Sequence, residues 1–207
     1  MGNLNKPSKP KNFKYVDNLS QKYETQRLII ERTNENDYES LGKLIMNKNI
    51  NFDYARPVLY LEDLECAKGY IKNQCVNQVC YTIKLKSDIN PFIIIGQIGF
   101  YFADKKCKEI GIFYFLGENY QKKGYATEAA CPFIRNIFEN LTDTKKLKID
   151  FNEKNIGSQK LAKKICDDIK KCHPTYKFGE LEPFIDKYTL VKESTPFFGK
   201  VKYYFEG

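Results

Sequence analysis

Val79, Tyr81, Ile83 and Leu85 alternate with polar partners, a period of two that predicts a half-buried strand. The same reading gives a first strand over RLIIERT, from Arg27 to Thr33, and two longer buried runs, PFIIIGQIGFYF around 91–102 and CKEIGIFYFL around 107–116. KLKIDFN over 146–152 points Leu147, Ile149 and Phe151 one way, and DKYTLV near 186–191 and KVKYYFEG at 200–207 supply two last strands. Between these runs the period changes to that of a helix. Asn34 with Asp37 makes a capping-box-like start to a helix carrying Leu41, Leu44 and Ile45. A second helical stretch spans Leu61 to Asn73, after a loop containing Pro57. The clearest helix follows Gly124, where Ala126, Ala129, Ala130, Phe133, Ile134, Ile137, Phe138 and Leu141 form one continuous face. Pro132 sits inside it, off the apolar face, and should kink the axis. A last helix, from about Gly157 to Ile169, buries Leu161, Ala162, Ile165 and Ile169.

Short links, Asp88-Ile89-Asn90-Pro91 and Asp104-Lys105-Lys106, make the three central strands an antiparallel meander. The fold class is therefore α/β (α+β), one domain over 23–207, preceded over 1–22 by a flexible basic arm rich in Lys and Pro. At 207 residues the chain is long enough for one sizeable core and short for two. No run reaches the roughly 18 apolar residues of a membrane span, so the expectation is a soluble, cytoplasmic protein with no membrane partner. Met1-Gly2 lacks the Ser or Thr that a myristoylation start requires, because that position is Lys6.

Seven cysteines contain no C-x-x-C pair, and the only histidine is His173, which argues against a zinc site or a disulfide framework. A Cys172–His173 dyad has no acidic orienter in view. The net charge of +8 raises the possibility of a basic nucleic-acid-binding module, but the lysines are spread along the whole chain rather than gathered in a stripe. Positive charge equally suits an enzyme that binds a polyphosphate.

The loop Gln121-Lys122-Lys123-Gly124-Tyr125-Ala126 joins a buried strand to the start of the long helix. Such a turn aims free backbone N–H groups and the positive end of the helix dipole at one point, where a phosphate can sit. Gly124 lets the backbone come close, Ala126 is too small to block it, and Lys122 and Lys123 add positive charge. An ordinary strand-to-helix turn has the same outline.

The wider stretch, Leu116 to Ala129, resembles the pyrophosphate-binding segment of the GNAT N-acetyltransferases, whose pattern is Q/R-x-x-G-x-G/A. Thr25-Gln26-Arg27-Leu28-Ile29-Ile30-Glu31-Arg32 with Asp37 is similar to the opening of the RimJ/RimL-like branch, and Asn155-Ile156-Gly157-Ser158 to its N-x-x-S helix head. The resemblance runs from about residue 24 to 170. It implies a mixed, mainly antiparallel sheet of about seven strands flanked by helices, splayed between the fourth and fifth strands. It also implies acetyl-CoA as cosubstrate, no metal, and direct attack by an acceptor amine without a covalent enzyme intermediate. The acceptor is a small molecule, a lysine or a protein N-terminus, and monomer and homodimer both stay open.

Residue by residue, the resemblance implies that Gln121 to Ala126 hold the diphosphate and that Leu116 and its neighbours pair with the pantetheine amides. Asn155 would reach the cofactor arm, and Ser158 would lie near the sulfur as a proton donor to the leaving thiolate. Both residue types also cap helices well. The tyrosine that many relatives carry seven residues after this asparagine is Ala162 here. Glu109 is the candidate general base, and burial in a strand is expected to raise its pKa. Twelve residues separate Glu109 from Gln121, two more than in the relatives' pattern. That moves the carboxylate about 6–7 Å along a regular strand unless a bulge absorbs it, and it keeps open a catalytically inactive CoA-binding protein on the same fold. The usual K-L-G-F ending is Lys164-Ile165-Cys166-Asp167, so an irregular insertion is expected over 170–185. Acceptor loops are expected over 47–62 and 170–200. Asp53, Glu62, Asp63 and Glu65 are acidic groups there that could attract a cation or merely be solvated.

Overall fold

The period-two runs form strands and the period-3.6 runs form helices, in the expected order. The computed structural model describes residues 16–47, 63–87, 92–103, 108–141, 146–152, 155–172, 177–178, 182–184 and 200–206. Strands are β1 (Lys22–Glu24), β2 (Leu28–Arg32), β3 (Val79–Leu85), β4 (Ile93–Phe102), β5 (Glu109–Leu116), β6 (Lys146–Asn152), β7 (Lys177–Phe178), β8 (Glu182–Phe184) and β9 (Lys200–Glu206). Helices are α1 (Tyr38–Ile45), α2 (Leu64–Asn77), α3 (Tyr125–Asn140) and α4 (Ile156–Cys172).

One sheet holds all nine strands, in the order β1-β2-β3-β4-β5-β6-β9-β7, with β8 also on β9. Every pairing is antiparallel except β5 with β6. The count exceeds the expected seven because β1, β7 and β8 have three residues or fewer, too short to show an alternation. The strand expected near 186–191 lies outside the described residues.

Successive side chains on a strand point to opposite faces, so each face acquires its own helical layer. Leu28, Ile30, Tyr81, Ile83, Ile110 and Ile112 are buried with Phe133, Ile134 and Ile137 of α3 and Leu161, Ala162 and Ile165 of α4. On the other face Leu41 and Ile45 of α1 meet Ala67 and Ile71 of α2, with Ile94 and Phe115 beneath them. The long helix continues through Pro132. Proline costs a helix interior about 3 kcal/mol, whereas fully burying Phe133, Ile134 and Ile137 contributes roughly 1.5–3 kcal/mol each.

The capping box forms as read: the Asn34 side chain accepts from the Asn36 backbone and Asp37 Oδ2 from Asn34 N at 3.1 Å, at a 3-10 turn leading into α1. Asp37 is buried and also accepts from Thr82 Oγ1 at 2.8 Å, which ties the start of α1 to the sheet. Helix α2 runs on to Asn77, four residues past the expected end, and two further boundaries move. The ordered body begins by Val16, inside the segment expected to be a flexible arm, because Val16 and Leu19 are buried in the main core. Tyr81 Oη donates to Ser20 O at 2.8 Å and Ser20 N donates to Asn136 Oδ1 at 3.2 Å, contacts between segments distant in sequence that no local pattern announces. Within the segment where an irregular insertion was expected, α4 continues to Cys172, and β7 and β8 then pair with β9. No helix among the described residues is long and apolar enough to cross a membrane.

Candidate active site

β5 and β6 pair in parallel only from Glu109–Ile112 against Lys146–Ile149. Beyond Ile112 the ladder stops while β5 runs on to Leu116, still bonded to β4 on its other edge. The sheet is therefore splayed between β5 and β6, the fourth and fifth strands of the sequence-based scheme. The ladder with β6 therefore covers only the first half of β5. At the tip, Gly117 N donates to Ile95 O at 2.8 Å and Gln121 Nε2 donates to Leu116 O at 3.1 Å, so the end of β5 is held by its own loop.

The loop then turns through two left-handed residues, Lys122 at φ 59° and Gly124 at φ 83°. For lysine that region is sparsely populated, and such strain collects at ligand sites. Gly124 is the N-cap of α3 and no side chain caps the helix. The first α-helical bond runs from Glu128 N to Gly124 O, so the N–H groups of Tyr125, Ala126 and Thr127 have no intrahelical acceptor. A Cβ on Gly124 would meet only Arg27 Nη2, at 3.4 Å, so the approach to these donors is open.

Arg27 and Glu128 brace this turn from behind. The Glu128 carboxylate accepts from Thr25 Oγ1 at 2.6 Å, Arg27 N at 2.9 Å and Arg27 Nε at 2.7 Å. Arg27 Nη1 donates to Lys123 O at 3.2 Å, and its guanidinium lies 4.4 Å from the centre of the Tyr125 ring. Burial opposes the charge on Glu128, but the donors from Thr25 and Arg27 outweigh it and hold the carboxyl below the usual carboxylate range. A depressed folded-state pKa contributes stability that is present at neutral pH and lost as pH falls through the folded value. Glu128→Gln should therefore cost about 1–3 kcal/mol at neutral pH. Denaturant melts should show the gap to the native chain closing below about pH 4.

Across the opening, Asn155 Oδ1 accepts from Ser158 N at 3.0 Å and Asn155 O from Gln159 N at 3.1 Å, so Asn155 caps α4. Ser158 lies in the first turn, half-buried. Facing it is Tyr114 of β5. The Tyr114 hydroxyl is shielded from solvent and makes no hydrogen bond of ordinary geometry, yet Ser158 is close enough to favour its ionised form. Burial dominates and pushes the phenol up to about 12.

Glu109 stands at the other end of β5, where the two strands are still paired. Its carboxylate forms an ion pair with Lys148 of β6. The apolar surroundings expected from sequence are thus replaced by a compensating ammonium. The structure brings Leu116, Gln121, Lys122, Lys123, Gly124, Tyr125 and Ala126 together at the β5–α3 junction and sets Asn155 and Ser158 on α4 after β6. Glu109 is seven residues back along β5 from Leu116. Sequence reasoning missed the Thr25–Arg27–Glu128 brace, Lys148 and Tyr114. Only the T-x-R run carried a hint of the first. Among the described residues no group of three or more His, Cys, Asp or Glu could hold a metal ion.

Residues 27–165 match the family model described as acetyltransferase (GNAT) domain. By sequence, no curated protein matches the chain. Among solved structures, a GNAT-family acetyltransferase from Bacillus anthracis superposes with a TM-score of 0.67 at 16% identity, covering 89% of this chain and 98% of that one. The microcin C7 self-immunity acetyltransferase MccE, solved with acetyl-CoA and AMP, gives 0.66 at 18% identity, over 87% and 92%. RimL, the ribosomal L7/L12 alpha-N-protein acetyltransferase solved with coenzyme A, gives 0.63 at 15% identity, over 88% and 94%.

Proposed function

The chain belongs to the GNAT acetyltransferases, and from that premise we propose that it transfers acetyl from acetyl-CoA directly to a primary amine, as a member of the RimJ/RimL-like branch. One observation carries the reading: the β5–β6 ladder stops at Ile112 beside an uncapped sixteen-residue helix whose first turn is opened by a left-handed glycine. Acetyl-CoA offers a diphosphate and a chain of amides, and those two features accept them in turn. The N–H groups of Tyr125 to Thr127 and the helix dipole suit the diphosphate, with Lys122 and Lys123 adding charge at the rim. The gap that opens between β5 and β6 beyond Ile112 suits the pantetheine chain, which can lie along β5 there.

Asn155 sets the first turn of α4, which brings Ser158 toward the sulfur as a donor to the departing thiolate. Glu109 takes up a proton from the incoming amine, directly or through water. Lys148 then does two things: it fixes the carboxylate on β6, and it competes with a cationic acceptor for it. A cationic amine that displaces Lys148 takes its place beside the carboxylate, the position from which its proton can pass as it attacks.

The acceptor class is a primary amine. RimL is named as an alpha-N-protein acetyltransferase and MccE as a microcin C7 self-immunity acetyltransferase, so N-terminal peptides, lysine and small amines all belong in the test. A panel of these, followed by thiol release from acetyl-CoA, should give one class whose kcat/KM stands well above the rest. Thiol release no faster than with buffer alone, with acetyl-CoA bound, would favour a CoA-binding protein without turnover.

A further inference from the structure

We propose that Tyr114 is a positioning residue for thiolate departure, aligning Ser158 by hydrogen bonding so that the pair stabilises the sulfur leaving the acetyl group. The inference rests on the acetyl-CoA reading above and adds a residue to that site.

Three observations place Tyr114 there. It is the first residue on the α3/α4 face of β5 after the last ladder pair, Ile112 with Ile149, so it stands where β5 and β6 have parted. Its neighbours on that face, Ile112 and Leu116, are buried apolar residues of the main core, which makes the phenol a polar exception in an apolar row. Its hydroxyl is shielded from solvent without a well-formed partner, and Ser158 is the hydroxyl it faces. A buried hydroxyl left without a partner costs stability, so a phenylalanine here would serve packing better. A ligand atom completing the pair accounts for a phenol at this place. The opening it borders is the one the pantetheine chain would enter.

The chemistry balances without any further reagent. The amine nitrogen forms a bond to the acetyl carbon, the carbon–sulfur bond breaks, and its electron pair stays on sulfur. One amine proton passes to the base and then to solvent. Tyr114 O–H donates to Ser158 Oγ and Ser158 O–H to the sulfur, and each keeps its proton. Burial holds the phenol protonated throughout the neutral range, as a donor must be. Hydrogen-bond chains of this kind strengthen when aligned in a shielded site.

The test needs no knowledge of the acceptor. Calorimetry compares CoA with desulfo-CoA from about pH 6 to about pH 9, across the ordinary thiol range near 8.5. A site that favours thiolate makes the bound thiol more acidic than the free one. CoA should then gain on desulfo-CoA as pH rises, by about tenfold if the bound thiol is ten times the stronger acid. In Tyr114→Phe the gain should fall to about threefold or less, with CoA affinity at the acidic end unchanged within about threefold. Ser158→Ala should lose it likewise and serves if the first variant folds poorly. An undiminished gain in either folded variant, or no gain in the native protein, overturns the role of Tyr114 while leaving the cofactor site standing. Failure of the native protein to bind CoA at all overturns both.

Discussion

Replacing Gly124 with glutamate is expected to lower acetyl-CoA affinity by about tenfold to a hundredfold while the fold survives. Two effects add. At φ 83° any side chain pays for a left-handed conformation, roughly 1–2 kcal/mol. The new carboxylate would also stand at the helix N-terminus where the diphosphate should lie, replacing an attraction with a repulsion. Gly124→Ala separates the two, because it keeps the conformational cost and adds no charge. It should weaken binding by less than about tenfold. The space around Gly124 admits a side chain, with only the flexible end of Arg27 nearby, so the effect is local. Calorimetry on the two variants reads it directly, and unchanged affinity in the glutamate variant would move the diphosphate elsewhere.

The second large effect concerns Glu109. If its carboxylate accepts the amine proton, Glu109→Gln should cut turnover by roughly 100-fold to 10,000-fold while acetyl-CoA affinity stays within a few-fold. The ion pair with Lys148 gives the experiment a control. Both side chains are mostly enclosed, 20% and 17% exposed, so loss of either partner strands a poorly solvated charge and costs more than a surface pair would. A purely structural pair therefore predicts similar damage from Glu109→Gln and Lys148→Met. A base predicts a split: Lys148→Met destabilises the protein yet keeps turnover within about tenfold, whereas Glu109→Gln loses it. Equal losses of turnover in the two variants would assign Glu109 to the framework, and the base would have to be water or another carboxylate, Asp53 among the candidates.

Local chemistry makes much of this legible in the sequence. β3 and β6 begin and end at the residues the alternation marks, and Asn34 with Asp37 closes the capping box it suggests. Gly124 takes the left-handed conformation that a close-approach loop requires. What stayed hidden depends on register and tertiary contact. Lys148 meets Glu109 only because β5 and β6 run parallel with Glu109 opposite Lys146, and no window of sequence states that register. Tyr114 reads as one more aromatic in a buried strand until α4 sets Ser158 above it. Val16 and Leu19 lie among polar residues with no period, and their burial follows from a groove the rest of the chain builds. Glu128, on the polar side of α3, looks solvated until Thr25 and Arg27 are folded against it.

The most direct test of the central claim is a thermal melt of the native protein titrated with acetyl-CoA, run beside the same titration with duplex DNA. A ligand that binds only the folded state raises the melting temperature with the logarithm of its concentration above Kd, by about 2.7 kcal/mol of stabilisation at a hundred times its Kd. That rise is the expected result with acetyl-CoA, with the Gly124→Glu variant needing more ligand to reach it. A melting temperature indifferent to acetyl-CoA, with steeply salt-dependent binding to DNA, would contradict it.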